Sequence, residues 1–518
     1  MRKQRATAWK WAISIAILLF VAAIVAIHAL APTLRRVARD RAEVYLRTHF
    51  QGSVQFNDFH VAFYPRIHVV ITGLVIRHEG RTDIAPLVEV RSLTVNARFW
   101  DLLRRHPEIA SIDLDGLQIH TPPRKRGGPP LIHGTQQNLA QKYPVVVEKI
   151  TAKEALIVIL RRDTKPPREF EIHQLELHNF DFTDPASFHA LLTNPIPRGE
   201  IHCDGQFGPW LAGDPSETPV TGRYIFWNAD MGTLKGLKGT LSSKGQFSGP
   251  LDYLNVQGET DIPNFALRTS DHPMALHTDF SAIVDGTNGD TYLNSVTAKF
   301  LNSTLVTKGK VVDEYPKMKG RTIVMDTVSQ GARIEDLLLL AVKANPPVMT
   351  GAAKLKANIL IPEGNADLLE RLKIDAQFSI DNAHFTSDSV QGKINSLSRR
   401  GLGKPQETDL TAVSQLKGTF AMDQASIDFS SLSFAVPGAS VALTGNYGLD
   451  TGQLDFRGTL RLQAQLSQTT TGVKSFFLKV LDPLFKGKDA GTVVPIKITG
   501  TKDHPSFGLD FDGKPNNE

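Results

Sequence analysis

The sequence is poor in the residues that most often carry chemistry. Its 518 residues include one cysteine, Cys203, which rules out an intramolecular disulfide and a cysteine-based zinc or iron–sulfur centre. It contains no G-x-S-x-G elbow, no G-x-x-x-x-G-K-[ST] phosphate loop, no H-E-x-x-H pair and no G-x-G-x-x-G turn. Glycine (40) and proline (30) stay near ordinary usage, which excludes collagen-like and low-complexity chains. With 41% apolar and 21% charged residues, neither wholesale disorder nor a multi-span membrane protein fits. Long apolar runs are missing after residue 31: Leu337 to Val342 is far too short to span and is flanked by Asp336 and Lys343.

The formal charge of +5 is a local effect. Met1 to Arg47 holds nine Lys/Arg and two Asp/Glu, a net of +7, so the rest of the chain carries −2 (+5 less +7). A nucleic-acid partner would call for positive charge on the folded body. Here the excess brackets an apolar segment, which indicates a membrane surface and no nucleic acid. Trp11 to Ala31 is free of formal charge, and its 21 residues span about 31 Å as a helix, the thickness of a hydrocarbon core. Arg2, Lys3, Arg5 and Lys10 precede it, and Trp9 and Trp11 suit the interface. The expectation is an uncleaved single-pass helix over 11–31, with residues 1–10 as a cytoplasmic tail and the bulk of the chain outside the cytoplasm. The competing reading is a signal peptide cut after Ala29-Leu30-Ala31, although the run exceeds the usual signal-peptide core.

Beyond the anchor, 32–121 reads as an N-terminal helix plus a β region. Leu34, Val37, Arg41, Val44 and Tyr45 recur at helical spacing over 33–50. The period then becomes two, with Phe59, Val61 and Phe63, then Ile67, Val69 and Ile71, then Leu93 to Phe99. Residues 122–144 form a proline-, glycine- and base-rich loop. A central β-rich region follows over 145–400, with short strands and frequent glycine-marked turns, and a C-terminal region occupies 401–518. The fold expected is mainly β, an extended antiparallel sheet with a few amphipathic helices. Two of these fall at Ile334, Leu337, Leu338 and Ala341, and at Val390, Ile394 and Leu397 up to Gly401.

The clearest β pattern is C-terminal. Leu454, Phe456, Gly458, Leu460, Leu462, Ala464 and Leu466 share one parity, with Asp455, Arg457, Arg461 and Gln463 on the other. Fourteen residues is long for a strand, and Gly458 suggests a bulge or bend. Leu454, Phe456, Leu460, Leu462 and Leu466 are therefore candidates for an apolar, lipid-facing surface. Val473, Phe476, Phe477, Val480, Leu481 and Leu484 share one helical face, with Lys474, Lys479, Lys486 and Lys488 around it. Phe476, Phe477, Val480 and Leu481 are candidates for membrane contact; the other reading is a helix that caps the β body.

Candidate chemistry elsewhere is thin. His202-Cys203-Asp204 tempts as a nucleophile or metal cluster, but adjacent strand residues point to opposite faces. Asp113-Leu114-Asp115-Gly116 opens like a calcium loop yet lacks the later ligands. His173 and His178 are ordinary surface histidines. No enzyme activity, cofactor or metal is expected.

The anchor, the arginine-rich helix, FHVAFYPRIHVVITGLVIRH from Phe59 to His78, and the glycine-punctuated β body together resemble AsmA-like proteins of bacterial envelopes. LTGNYGLDTGQLDFRGTLRLQAQLSQ (Leu443 to Gln468), VVPIKITGT (Val493 to Thr501) and PSFGLDF (Pro505 to Phe511) are similar to that family's C-terminal region. The family is related to chorein-like bridge proteins, whose curved sheets form an open apolar groove that carries lipid. The resemblance implies an inner-membrane protein with a periplasmic body, which serves outer-membrane biogenesis by binding or transferring phospholipid. Linked to the same family is an alternative role, a scaffold or chaperone for targeting and assembly of outer-membrane proteins, with envelope proteins as partners. The largest bridge-like members are far longer than this chain. By its residues alone, the apolar sheet face fits either an open groove or β-sandwich domains that bury each other's faces.

Overall fold

Period-two patterning produces strands, and strands dominate the protein. The computed structural model describes Asp40, Val44 and residues 54–62, 66–77, 85–86, 88–102, 108–121, 145–159, 168–181, 183–211, 215–314, 320–404, 412–463, 493–502 and 504–510. The apolar run at 11–31, the loop at 122–144, Leu466, and the 470–485 segment with Phe476, Phe477, Val480 and Leu481 lie outside the described residues. Within 33–50, Asp40 and Val44 are described, and both are helical. No described helix is long and apolar enough to cross a membrane.

The chain divides into two compact units: 1–161 with 166–193 and 202–221, and 162–165 with 194–201 and 222–518. In the first, β1 (Val54–Gln55) and β2 (Asp58–Ala62) both pair antiparallel with β3 (Ile67–Ile76), which pairs with β4 (Val88–Ala97). β4 takes two further antiparallel partners, β5 (Glu108–Asp115) and β6 (Gln118–Thr121). Gly116 between them turns the corner at a φ of +61°, where a side chain would be strained. β5 and β6 then run parallel to β7 (Val146–Ile159), so the sheet is mixed and not antiparallel throughout. A parallel neighbour needs a connection of about a dozen residues or more, and the proline- and glycine-rich segment supplies it. β7, β8 (Arg168–Phe180) and β9 (Ala186–Pro195) continue antiparallel, followed by β10 (Arg198–Phe207). This unit's core gathers Val54, Ile71, Leu74, Ile76 and Val90, with a second cluster at Ala152, Ala155 and Ile172.

The second unit is a meander. After β11 (Pro219–Asp230) and the short β12 (Leu237–Lys238) come β13 (Thr240–Pro250), β14 (Leu254–Leu267), β15 (Met274–Val284), β16 (Thr291–Phe300), β17 (Ser303–Val312) and β18 (Thr322–Ser329). β19 (Ala332–Arg333), β20 (Met349–Ile361), β21 (Lys373–Phe385), β22 (Ser414–Asp423), β23 (Ser426–Val436), β24 (Ala439–Gly448), β25 (Gln453–Leu462), β26 (Val493–Thr501) and β27 (Pro505–Leu509) complete it. From β13 each strand pairs antiparallel with its successor; β18 passes to β20, and β12 and β19 add short pairings to β14 and β20.

Among the described residues, two helices longer than one turn interrupt the meander, α1 (Ile334–Ala341) and α2 (Asp388–Gly401), at the positions the helical spacing indicates. Asp336 of α1 is buried and accepts hydrogen bonds from the Asn302 amide (2.9 Å) and the Ser303 hydroxyl (2.7 Å). α2 carries Asp388 in its first turn and Arg399 and Arg400 in its last, matching the helix dipole. Its Gln391 is buried and accepts from the Phe385 amide (3.0 Å), while Val390 faces solvent. α2 ends in glycine because a Cβ on Gly401 would lie 2.2 Å from the Gly438 carbonyl oxygen.

Candidate functional site

Because successive side chains alternate between faces, the registers sort the second unit's residues into two surfaces. Across β20 to β26, Leu355 opposes Phe378, Ala376 opposes Phe420, and Phe420 opposes Phe429. Phe429 then opposes Gly445, Gly445 opposes Phe456, and Phe456 opposes Ile498. The rings form a continuous row: Phe378–Phe420 at 6.1 Å, Phe420–Phe429 at 5.7 Å and Phe429–Phe456 at 5.6 Å between centroids. Four strand spacings, from β21 to β25, carry this row over about 19 Å.

From β13 to β18 the same face is smaller and wetter. Phe247, Val256, Phe280 and Val296 share it with Ser243, Thr260, Thr278, Thr307 and Thr327. The Tyr224 hydroxyl meets Ser243 Oγ at 3.1 Å, and the Thr327 hydroxyl donates to Thr307 Oγ1 at 3.0 Å. On this parity, β13 to β27 present no Asp, Glu, Lys, Arg or His. The opposite parity carries Lys356, Asp375, Lys417, Asp428, Arg457 and Arg461.

Among the described residues, the apolar face is covered only in places. α1 packs Ile334, Leu337 and Leu338 over Ala353, Ile380 and Ala383, and α2 packs Ile394 and Leu397 over Val436, Ala439, Phe434 and Leu462. Both footprints sit at one set of strand ends. Phe378, at the edge of the α1 cluster, and Phe420, Phe429, Leu432, Leu443 and Leu460 beyond it remain half-buried, while Phe456 is 7% exposed.

The structure places Leu454, Phe456, Leu460 and Leu462 on this face, with Arg461 and Gln463 exposed on the other. The strand is shorter than its sequence pattern: β25 has ten residues, and Gln463 bends to donate its amide to the Gly438 carbonyl (2.9 Å). Gly458 makes no bulge; its register with Leu443 is unbroken, and its Cβ would fall 1.9 Å from the Ala442 carbonyl oxygen. Phe378, Phe420 and Phe429 did not stand out in the sequence, where each has a serine or threonine beside it. Their shared period-two parity, strand by strand, was the available signal.

A separate concavity of about 540 Å³ is lined mostly by the polar parity, including Lys356, Asn358, Asp375, Gln377, Asp428 and Asn446. Elsewhere on that parity, on β14 and β15, Glu259, His277 and Asp279 bring ligand-type atoms within 4.8 Å of one another. Glu259 is held by Lys244 (2.8 Å), Asp279 by Lys299 (3.2 Å), and His277 Nδ1 by Asp261 (2.7 Å). The Lys299 hydrogen bond lowers the Asp279 pKa, and the Asp261 hydrogen bond raises that of His277. The group works as a cross-strand ion ladder whose charges already compensate one another.

In the first unit, His202, Cys203 and Asp204 alternate along β10. Asp204 pairs with His189 at 2.6 Å. The Cys203 thiol is pushed up to about 12, first by burial and then by Asp204, so it is a poor nucleophile at neutral pH. Asp113 accepts from the Thr151 hydroxyl and Asp115 pairs with Arg91 at 3.1 Å, so both carboxylates are engaged. His173 meets the Thr193 hydroxyl (2.7 Å), and His178 lies 3.5 Å from Glu176. Comparison of the chain with protein-family models, curated proteins and solved structures returns no match.

Proposed function

We propose that this protein binds or transfers phospholipid along the apolar face of its second unit, as an inner-membrane-anchored protein whose periplasmic body serves outer-membrane biogenesis. The observation that carries the reading is the charge-free face of β13 to β27, with Phe378, Phe420 and Phe429 of its phenylalanine row half-buried and the described helices seated at one set of strand ends. Curvature of the sheet would make that face an open groove, and each methylene buried there contributes about 0.8 kcal/mol. The AsmA-like resemblance supports the same reading and supplies the anchor, the compartment and the lipid class. The protein acts as a carrier, not an enzyme, and needs no cofactor. Solvent extraction of the purified chain followed by lipid mass spectrometry tests it. Near-stoichiometric phospholipid is expected. A lipid-free chain that instead captures unfolded outer-membrane proteins would overturn it in favour of a chaperone or scaffold.

A further inference from the structure

The charge-free face restricts what can lie on it. A formal charge placed there would lose its water and find no counter-charge. A bound amphiphile must therefore keep any charged head beyond the strand ends. At the ends near Val312, Ile361 and Asp423, three cations among the described residues are already engaged. Arg321 meets Asp290 at 2.5 Å, Lys373 meets Asp423 at 2.8 Å, and Arg371 donates to the Pro362 carbonyl at 2.6 Å.

The opposite strand ends differ, because α2 finishes there. Its last turn sits on the β23–β24 turn, where the Ser398 hydroxyl donates to the Pro437 carbonyl at 2.7 Å. That turn carries Arg399 and Arg400, neither ion-paired with a described carboxylate. Arg399 Nε is buried and has no hydrogen-bond partner, a donor whose desolvation nothing in the described structure offsets. One turn earlier the same helix lays Ile394 and Leu397 on Phe434 and Leu462 of the apolar face. An apolar surface and an unsatisfied guanidinium thus meet at one helix end.

We propose that Arg399 and Arg400 seat the phosphate of an anionic phospholipid head whose chains lie on the apolar face. The planar fork of a guanidinium matches phosphate oxygens in pairs, and neither Arg399, which is partly exposed, nor Arg400, which is exposed, spends its fork on a described carboxylate. The inference rests on the lipid-binding reading and adds a head preference to it.

Native mass spectrometry of the purified full chain, incubated with equal amounts of dioleoyl phosphatidylglycerol and dioleoyl phosphatidylcholine, reads that preference. The natural chain should hold the anionic lipid over the zwitterionic one by about tenfold. R399Q/R400Q should hold less of the anionic lipid and bring the ratio near one, and R399K/R400K should keep part of the preference. Arg400 is exposed, so R400Q alone disturbs packing least and should still lower the ratio severalfold. No preference in the natural chain, or full preference in R399Q/R400Q, overturns the seat while leaving lipid binding intact. Absence of either lipid overturns the lipid-binding reading as well. If millimolar inorganic phosphate alone raises the melting temperature through these arginines and the lipid ratio stays at one, the site takes free phosphate, and the head assignment fails.

Discussion

Truncating Phe456 and Phe420 to alanine, one at a time, separates an open face from a closed core. Phe456 is 7% exposed and lies opposite Gly445, with its ring 5.6 Å from that of Phe429. Removing a buried phenylalanine ring costs about 3–5 kcal/mol, from lost transfer energy and the cavity left behind. Phe420 belongs to the same row, at 6.1 Å from Phe378 and 5.7 Å from Phe429, but is only half-buried. With part of its surface already in water, its truncation should cost roughly 1–2 kcal/mol. Urea unfolding followed by circular dichroism should therefore show a much larger fall in midpoint for F456A than for F420A, at similar slopes. Phospholipid recovered from F420A should fall despite the smaller loss of stability. Equal destabilisation by the two substitutions would mean that a second layer covers the face, as in a β-sandwich, and would refute the groove.

D336A should cost about 1–3 kcal/mol in a thermal melt, because it leaves the buried Ser303 hydroxyl unsatisfied and removes the acceptor of the Asn302 amide; D336N, which keeps an acceptor, should recover part of it. The hydrogen bond that His277 donates to Asp261 raises the His277 pKa above its ordinary 6.5, so its stabilising contribution is complete below about pH 6.5 and is lost as pH rises through the raised value. A small decline in melting temperature above neutral pH should accordingly vanish in H277A, and a decline that persists unchanged there would assign it elsewhere. If 11–31 anchors the chain, intact mass should begin at the original N-terminus and the protein should resist carbonate extraction; a mature start at Pro32 would replace the anchor with a signal peptide.

Much of the strand content was legible because alternation is a local property. Leu454 to Leu462 could be assigned to one face from sequence alone, and the register bears that parity out. α1 and α2 were equally legible, since Leu337 with Leu338 and Ile394 with Leu397 recur at helical spacing. Two features depend on distant partners and so escaped. The parallel β5–β7 pairing follows from where the long connection returns the chain, which no local period encodes. β25 stops at Leu462 where its partner β24 begins, at Ala439 just after the β23–β24 turn. The phenylalanine row escaped for the same reason: Phe378, Phe420 and Phe429 are separated along the chain and become one surface only through the registers of β21 to β23.

The central claim is that one face of the second unit holds lipid, and a photo-crosslinker introduced at single positions of β25 addresses it most directly. Leu460 lies on the charge-free face and Arg461 on the opposite one, adjacent in sequence and differing only in side. Irradiation in envelope membranes should join phospholipid to the chain at position 460 and leave position 461 unlabelled. Equal labelling at both positions, or none at 460, would contradict a one-sided lipid surface.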